Sequence, residues 1–177
     1  ARTLPYRQLV LATGAQPIHV PVQGNASDQV QSINSLDDFT AFHSALSPHA
    51  VSAEGSQNAS KTVVIMGAGL IGCEFANDLA GAGHTVHVAD PSARPLAALL
   101  PAAAGEQLAQ ALGTLGVQWH FGTTVQAVDT VGDQCTVTLS DGNTVAADAV
   151  LSAIGLRADT RLASAAGIAC ERGIVVD

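Results

Sequence analysis

At 177 residues, with 47% apolar and 12% charged side chains, the chain suffices for one domain with a proper core, or one domain plus pieces of another, and is too apolar to be disordered. The formal net charge of -8, with Lys61 as the single lysine, argues against a nucleic-acid surface, which needs clustered cations. No run reaches the roughly 18 apolar residues of a membrane span, so no membrane insertion and a cytoplasmic location are expected.

In chain order, residues 8–14 (QLVLATG) form a short apolar run ending in Thr-Gly and read as a buried strand. AQPIHVPVQGNASDQ follows with Pro17, Pro21 and Gly24 and reads as loop. In NSLDDFTAFHSAL, Ser35 is an N-cap with Asp38 three residues on. Leu36, Phe39, Phe42 and Leu46 then recur at helical spacing, which predicts a helix. Residues 47–60 are small and polar and read as an exposed connection. TVVIM, 62–66, is a second buried strand, and the next helix runs from about Leu70 to Ala80, stopped by Gly81 and Gly83. HTVHVAD, 84–90, is a third strand. A helix over 102–115 and a strand at VQWHF come next.

TVQAVD, QCTVTLS and NTVAADAV alternate in polarity, with Asp141-Gly142 as a tight turn between the last two, and predict a small meander. AVLSAIG, 149–155, is a further buried strand, LRADTRLASAAG a loop and short helix, and the final GIVVD another strand pattern. Strands alternating with helices predict an α/β fold, a parallel sheet with an antiparallel β-meander insertion. The chain opens without a methionine almost directly in a strand and stops just after one, so both ends read as cut from something longer.

Cys73, Cys135 and Cys170 are scattered, form no CxxC pair and read as buried reduced thiols. The six histidines show no HExxH or paired ligand spacing, so no metal site is expected; those of HTVHV read as strand-face residues. There is neither a G-x-S-x-G elbow nor a P-loop lysine.

Gly67, Gly69 and Gly72 fit G-x-G-x-x-G directly after a strand and at the opening of a helix. Gly67 permits the tight turn, Gly69 lets the backbone approach a pyrophosphate, and Gly72 lets the helix lie close to the sheet. Amides at the helix start then point at the phosphates without a basic side chain. Asp90 falls 18 residues after Gly72 at the end of the next strand, where a carboxylate can accept from the adenosine ribose. It would repel a 2′-phosphate, and Arg94 stands alone nearby, so NADH is expected in preference to NADPH. Glu74, in the first turn of the predicted helix, is either a partner of the helix dipole or a carboxylate held near the cofactor.

With these pieces in order, GAGLIGCEFANDLA resembles the second, NAD-binding glycine motif of the two-dinucleotide flavoprotein reductases, the pyridine nucleotide-disulfide oxidoreductase-like family. LVLATGAQP resembles the strand preceding that domain and LSAIGLRADT the strand leaving it, so the likeness spans nearly the whole chain. It implies a Rossmann-like NAD-binding domain over 34–155 with flanking strands of an incomplete FAD domain, a remnant and linker over 1–33 and a second remnant over 156–177. Gly67, Ala68, Gly69, Leu70 and Ile71 would lie along the NAD pyrophosphate, with Gly72 behind them and Asp90 at the ribose. Glu74 would sit between nicotinamide and flavin, Ala153, Ile154 and Gly155 would border the nicotinamide half, and Ala12, Thr13 and Gly14 would approach FAD.

Within that family the likeness is greatest to the branch that passes electrons from NADH through FAD to rubredoxin. The missing CxxC agrees with electrons leaving the flavin singly to a small iron carrier. No side chain is expected to act as a catalytic acid or base. An earlier GxGxxG and a later Gly-Asp motif are absent from these residues, so the chain alone is expected to hold FAD weakly or not at all and to be inactive. The glycine motif does not separate reductases serving ferredoxin, nitrite reductases or NADH oxidases. A non-catalytic NAD-binding module is the remaining alternative, though such a module would have no use for the flanking strands.

Overall fold

The computed structural model describes residues 3–46, 60–131 and 134–177. The connection expected over 47–60 lies outside them except for Ser60. The chain divides into two compact units, one of residues 19–155 and one of residues 1–18 with 156–177.

The larger unit is built on five parallel strands, β2 (Val30–Ser32), β3 (Thr62–Met66), β4 (Thr85–Asp90), β5 (Gln118–Phe121) and β9 (Ala149–Ser152), in the order β2-β9-β3-β4-β5. Successive side chains of a strand point to opposite faces, so a strand covered on both sides must be apolar throughout. TVVIM meets that requirement. Val63 and Ile65 join a core with Val86, Val88 and Leu151 under the helices α1 (Leu36–Leu46), α2 (Leu70–Gly81) and α3 (Ala102–Thr114). Val64 and Met66 face the other way, against β6 (Val125–Val131), β7 (Gln134–Leu139) and β8 (Thr144–Ala147). These three form the expected antiparallel meander, with a register shift between Val125 and Ala127.

Residues 15–29 are less irregular than their prolines suggest. After them comes β2, an edge strand paired through Gln31 to Leu151. Before it, the chain runs along β6: the Gln23 amide donates to Gln126 O at 2.8 Å and the Ala26 amide to Val128 O at 3.0 Å. The approach is so close that a Cβ on Gly24 would lie 2.1 Å from Val128 O. In α1 the Ser35 cap forms, with the Asp38 amide donating to Ser35 Oγ at 3.1 Å, and the Asp38 carboxylate accepts from the Asn34 amide. The apolar stripe of α1 is only half used: Phe42 and Leu46 are buried, worth about 2–3 kcal/mol each, whereas Leu36 and Phe39 stay exposed.

The smaller unit departs from expectation. Residues 8–14 are not a strand, and Val10 is 83% exposed. A buried strand needs sheet partners at its edges and layers on both faces, and among the described residues no strand pairs with this run. The pairing falls just after it, where β1 (Ala15–Pro17) meets β10 (Leu156–Ala158) antiparallel. A short helix, α4 (Arg161–Ala165), follows. GIVVD likewise forms only an isolated bridge between Ile174 and Cys170. The three thiols are free, but only Cys73 is buried. No helix among the described residues is long and apolar enough to cross a membrane.

Gly24→Ala should lower the unfolding free energy by about 2–3 kcal/mol, read by urea denaturation. Its φ of +101° and the carbonyl of Val128 both exclude a side chain there.

Candidate functional site

Three strand ends converge at the carboxyl edge of the parallel sheet. β3 delivers Gly67, β4 delivers Asp90 and β9 delivers Ala153, and the backbone ladder continues past their ends. The Gly67 amide donates to Ala89 O and the Ala153 amide to Met66 O, both at 2.8 Å. Because β3 connects onward through α2 to β4 while β9 lies on its other side, a crevice opens between the two loops, the place where open α/β sheets hold ligands.

The cleft there has a volume of about 440 Å³. Gly67, Gly69, Leu70 and Ile71 form its floor, Asp90, Pro91 and Ser92 one end, and Ala153, Ile154 and Gly155 the other. Each glycine of the turn has a different reason to lack a side chain. Gly67 has a φ of +101°, and a Cβ on it would lie 2.8 Å from Ala153 O. A Cβ on Gly72 would lie 2.0 Å from Gly67 O, so α2 starts hard against the turn. Gly69 is different. Its backbone is extended (φ -76°, ψ -172°), and a Cβ on it would meet nothing within 4 Å. The protein leaves that space open.

Gly69 caps α2 without any side-chain hydrogen bond, and the first intrahelical bond runs from the Cys73 amide to Gly69 O at 2.9 Å. The amides ahead of Cys73 have no intrahelical acceptor and carry the positive end of the helix dipole.

Asp90 does more than close a strand. Its Oδ2 accepts from the Ala68 amide and its Oδ1 from the Ser92 amide, both at 2.7 Å. The carboxylate thus ties the glycine turn to the end of β4, with no cation partner among the described residues and with one lone pair left on each oxygen. The β5–β6 turn supports it from below, the Gly122 amide donating to Ser92 O and the Thr123 amide to Asp90 O. Nearby, His87 Nδ1 and His120 Nε2 lie 3.0 Å apart across β4 and β5, and burial followed by the neighbouring imidazole pushes the His87 pKa down.

The remaining residues singled out in the sequence are placed elsewhere. Ala68 is buried below the floor, and Gly72 lies behind it. Glu74 is exposed at the start of the second turn of α2, because the helix begins at Leu70, and it does not line the cleft. Ala12, Thr13 and Gly14 belong to the smaller unit, where Thr13 Oγ1 donates to Asp159 O at 2.6 Å and the Asp159 amide donates to Gly14 O. Pro91 and Ser92 line the cleft without having been singled out; their signal is their position directly after the strand-ending acid. Cys73 is no nucleophile. Burial, then the charges of Asp90 and Glu74, push its thiol up to about 11.

This is the class of protein in which a Rossmann-like parallel sheet offers a glycine turn and a helix N-terminus at its carboxyl edge. The pyridine nucleotide-disulphide oxidoreductase family matches residues 1–177, and the chain belongs to that family. It is 44% identical over 175 residues to the rubredoxin-NAD(+) reductase of Acinetobacter baylyi, covering 98% of this chain and 42% of that protein. The rubredoxin-NAD(+) reductase of Alcanivorax borkumensis is 46% identical over 176 residues, covering 98% and 43%. Among solved structures, the covalent putidaredoxin reductase-putidaredoxin complex superposes with a TM-score of 0.84 at 30% identity, over 99% of this chain and 41% of that one. The chain therefore spans less than half the length of the relatives it matches.

Asp90→Asn should cost about 1.5–3 kcal/mol of unfolding free energy by urea denaturation. One amide oxygen can serve only one of the two backbone donors, and the new NH2 group faces the other.

Proposed function

We propose that the chain is the NADH-docking part of a flavoprotein reductase that passes electrons from NADH through FAD to rubredoxin or a similar small iron electron carrier in the cytoplasm. The observation that carries the docking reading is the open space over Gly69, beside helix amides that no side chain caps. The choice of acceptor rests on the identity to the two rubredoxin-NAD(+) reductases.

The residues present suit a dinucleotide. A diphosphate over Gly69 would find main-chain donors and the positive end of α2, and no Cβ would hold it away. Asp90, fixed by Ala68 and Ser92, keeps lone pairs for the ribose hydroxyls and opposes a phosphate in their place. Ala153, Ile154 and Gly155 would border the nicotinamide end. NADH held there would be a hydride donor, with FAD in the full-length protein as the hydride acceptor and single-electron donor. The chain's own part is to position and to supply electrostatics, with no acid or base among its side chains.

Toward FAD the chain offers Ala12, Thr13 and Gly14, and the polar groups of Thr13 and Gly14 already bond to Asp159. FAD retention is thus assigned to further segments of the full-length protein. On the same reading 34–155 serve NAD, 156–177 and the beginning of 1–33 belong to the FAD domain, and the rest of 1–33 is the linker, whose residues from 19 onward pack within the larger unit.

Gly69→Asp tests the docking reading, because the fold has room for the side chain and the backbone is one any residue adopts. NADH affinity by calorimetry should fall at least about a hundredfold, as a carboxylate would occupy the diphosphate position, while the melting midpoint stays unchanged. Unaltered affinity removes the assignment. For the acceptor, stopped-flow reduction by the full-length reductase should be faster with rubredoxin than with ferredoxin, and the reverse order would replace the acceptor named here.

A further inference from the structure

The loop after β4 contains a charge that the cofactor reading does not use. Arg94 is half-buried, and its Nη2 makes two long hydrogen bonds, to Ala97 O at 3.4 Å and Leu100 O at 3.5 Å. Its Nε is buried and finds no partner among the described residues. A guanidinium has five N–H donors, so this one is poorly satisfied, and a buried polar atom left in that state calls for an explanation. The side chain is also wedged. A Cβ on Gly105 of α3 would lie 2.9 Å from Arg94 Cδ and 3.0 Å from Pro95 O.

What Arg94 holds is connected to the cleft. The Leu99 and Leu100 amides both donate to Leu96 O, making a tight turn whose far carbonyls, Ala97 and Leu100, are those the guanidinium reaches. Leu96 has a φ of +51°, a conformation L side chains rarely adopt and which surrounding contacts must maintain. Its amide in turn donates to Ala68 O at 2.9 Å. Ala68 precedes Gly69, and its other peptide group is the one tied to Asp90. Between loop and turn lies a cavity of about 160 Å³, bounded by Ala68, Gly69, Asp90, Arg94 and Leu96. The Leu96 amide to Ala68 O bond links the two segments beside that cavity.

We infer that Arg94 is a positioning residue for the nucleotide site: seated under Gly105, it caps the 96–100 turn, keeps Leu96 on Ala68 O, and so sets where the Gly67–Gly69 turn stands. This rests on the NADH-docking reading above. Arg94 touches no ligand in this scheme and acts only through Leu96 and Ala68.

The experiment compares the wild-type chain with Arg94→Met, Arg94→Lys, Gly105→Ala and the double variant Arg94→Met/Gly105→Ala. NADH affinity is measured by calorimetry well below every melting midpoint, and the midpoints are measured separately. Arg94→Met and Gly105→Ala should each weaken NADH binding about tenfold, the scale seen when a residue supporting a site from behind is lost. The double variant should lose less than the two single losses combined, since the added methyl, which also meets Pro95 O, displaces the same 94–96 segment whose hold Arg94→Met has already loosened, and Arg94→Lys should recover part of the affinity. A lower midpoint with unchanged affinity in Arg94→Met makes the residue merely structural and overturns the inference, as do additive losses in the double variant. Should Arg94→Met not fold, Gly105→Ala and Arg94→Lys decide alone, and wild-type affinity in both overturns it. Failure of the wild type to bind NADH removes the docking reading and this inference together; wild-type binding with no effect of the variants removes this inference only.

Discussion

The carbonyl oxygen of Gly67 lies where residue 72 would carry its Cβ, and the rest of the site depends on that approach. With a bare Gly72, α2 begins directly against the turn that leaves β3. Its first amides then face the crevice instead of another layer of side chains. Move the helix outward by one methyl group and those donors no longer converge with the ends of β4 and β9. The position is dictated by packing, yet its consequence is electrostatic: a patch of positive potential made of main-chain nitrogen alone, in a chain of net charge -8.

Asp90 completes that arrangement from the opposite side. An acid near uncapped amides is favourable in itself, and here the two oxygens divide between Ala68 and Ser92. The bond that shapes the glycine turn and the group that would choose the sugar are therefore the same carboxylate. On the NADH-docking reading, loop geometry and nucleotide preference would be coupled, and a change at Asp90 would act on both. Cys73, pressed beneath the same turn with its thiol donating to Ala68 O, shows the other side of this closeness: burial and two nearby carboxylates keep it protonated and inert.

The larger unit was readable because its strands are covered on both faces. TVVIM and AVLSAIG are nearly continuous in apolar residues for that reason, while HTVHVAD buries Val86, Val88 and Ala89, and β3 begins and ends where the sequence places it. The meander was readable from alternation, since only one of its faces meets the sheet. Residues 8–14 carry the same apolar signature as β3 but have no strand to pair with among the described residues, and all but the half-buried Leu11 stay exposed. β2 was missed for the converse reason: three residues at a sheet edge leave no period to detect.

By itself, the sequence determined the order of elements from α1 to β9, the glycine turn and the acid that faces it, because each depends on local requirements: φ freedom, the absence of a side chain, a period of 2 or 3.6. Tertiary structure alone decided that Asp90 bonds back to Ala68, that Glu74 stands outside the cleft while Pro91 and Ser92 line it, and that Arg94 lies beneath Gly105. Those facts depend on which segments, remote in the chain, come within a hydrogen bond of one another, and no local pattern records that distance.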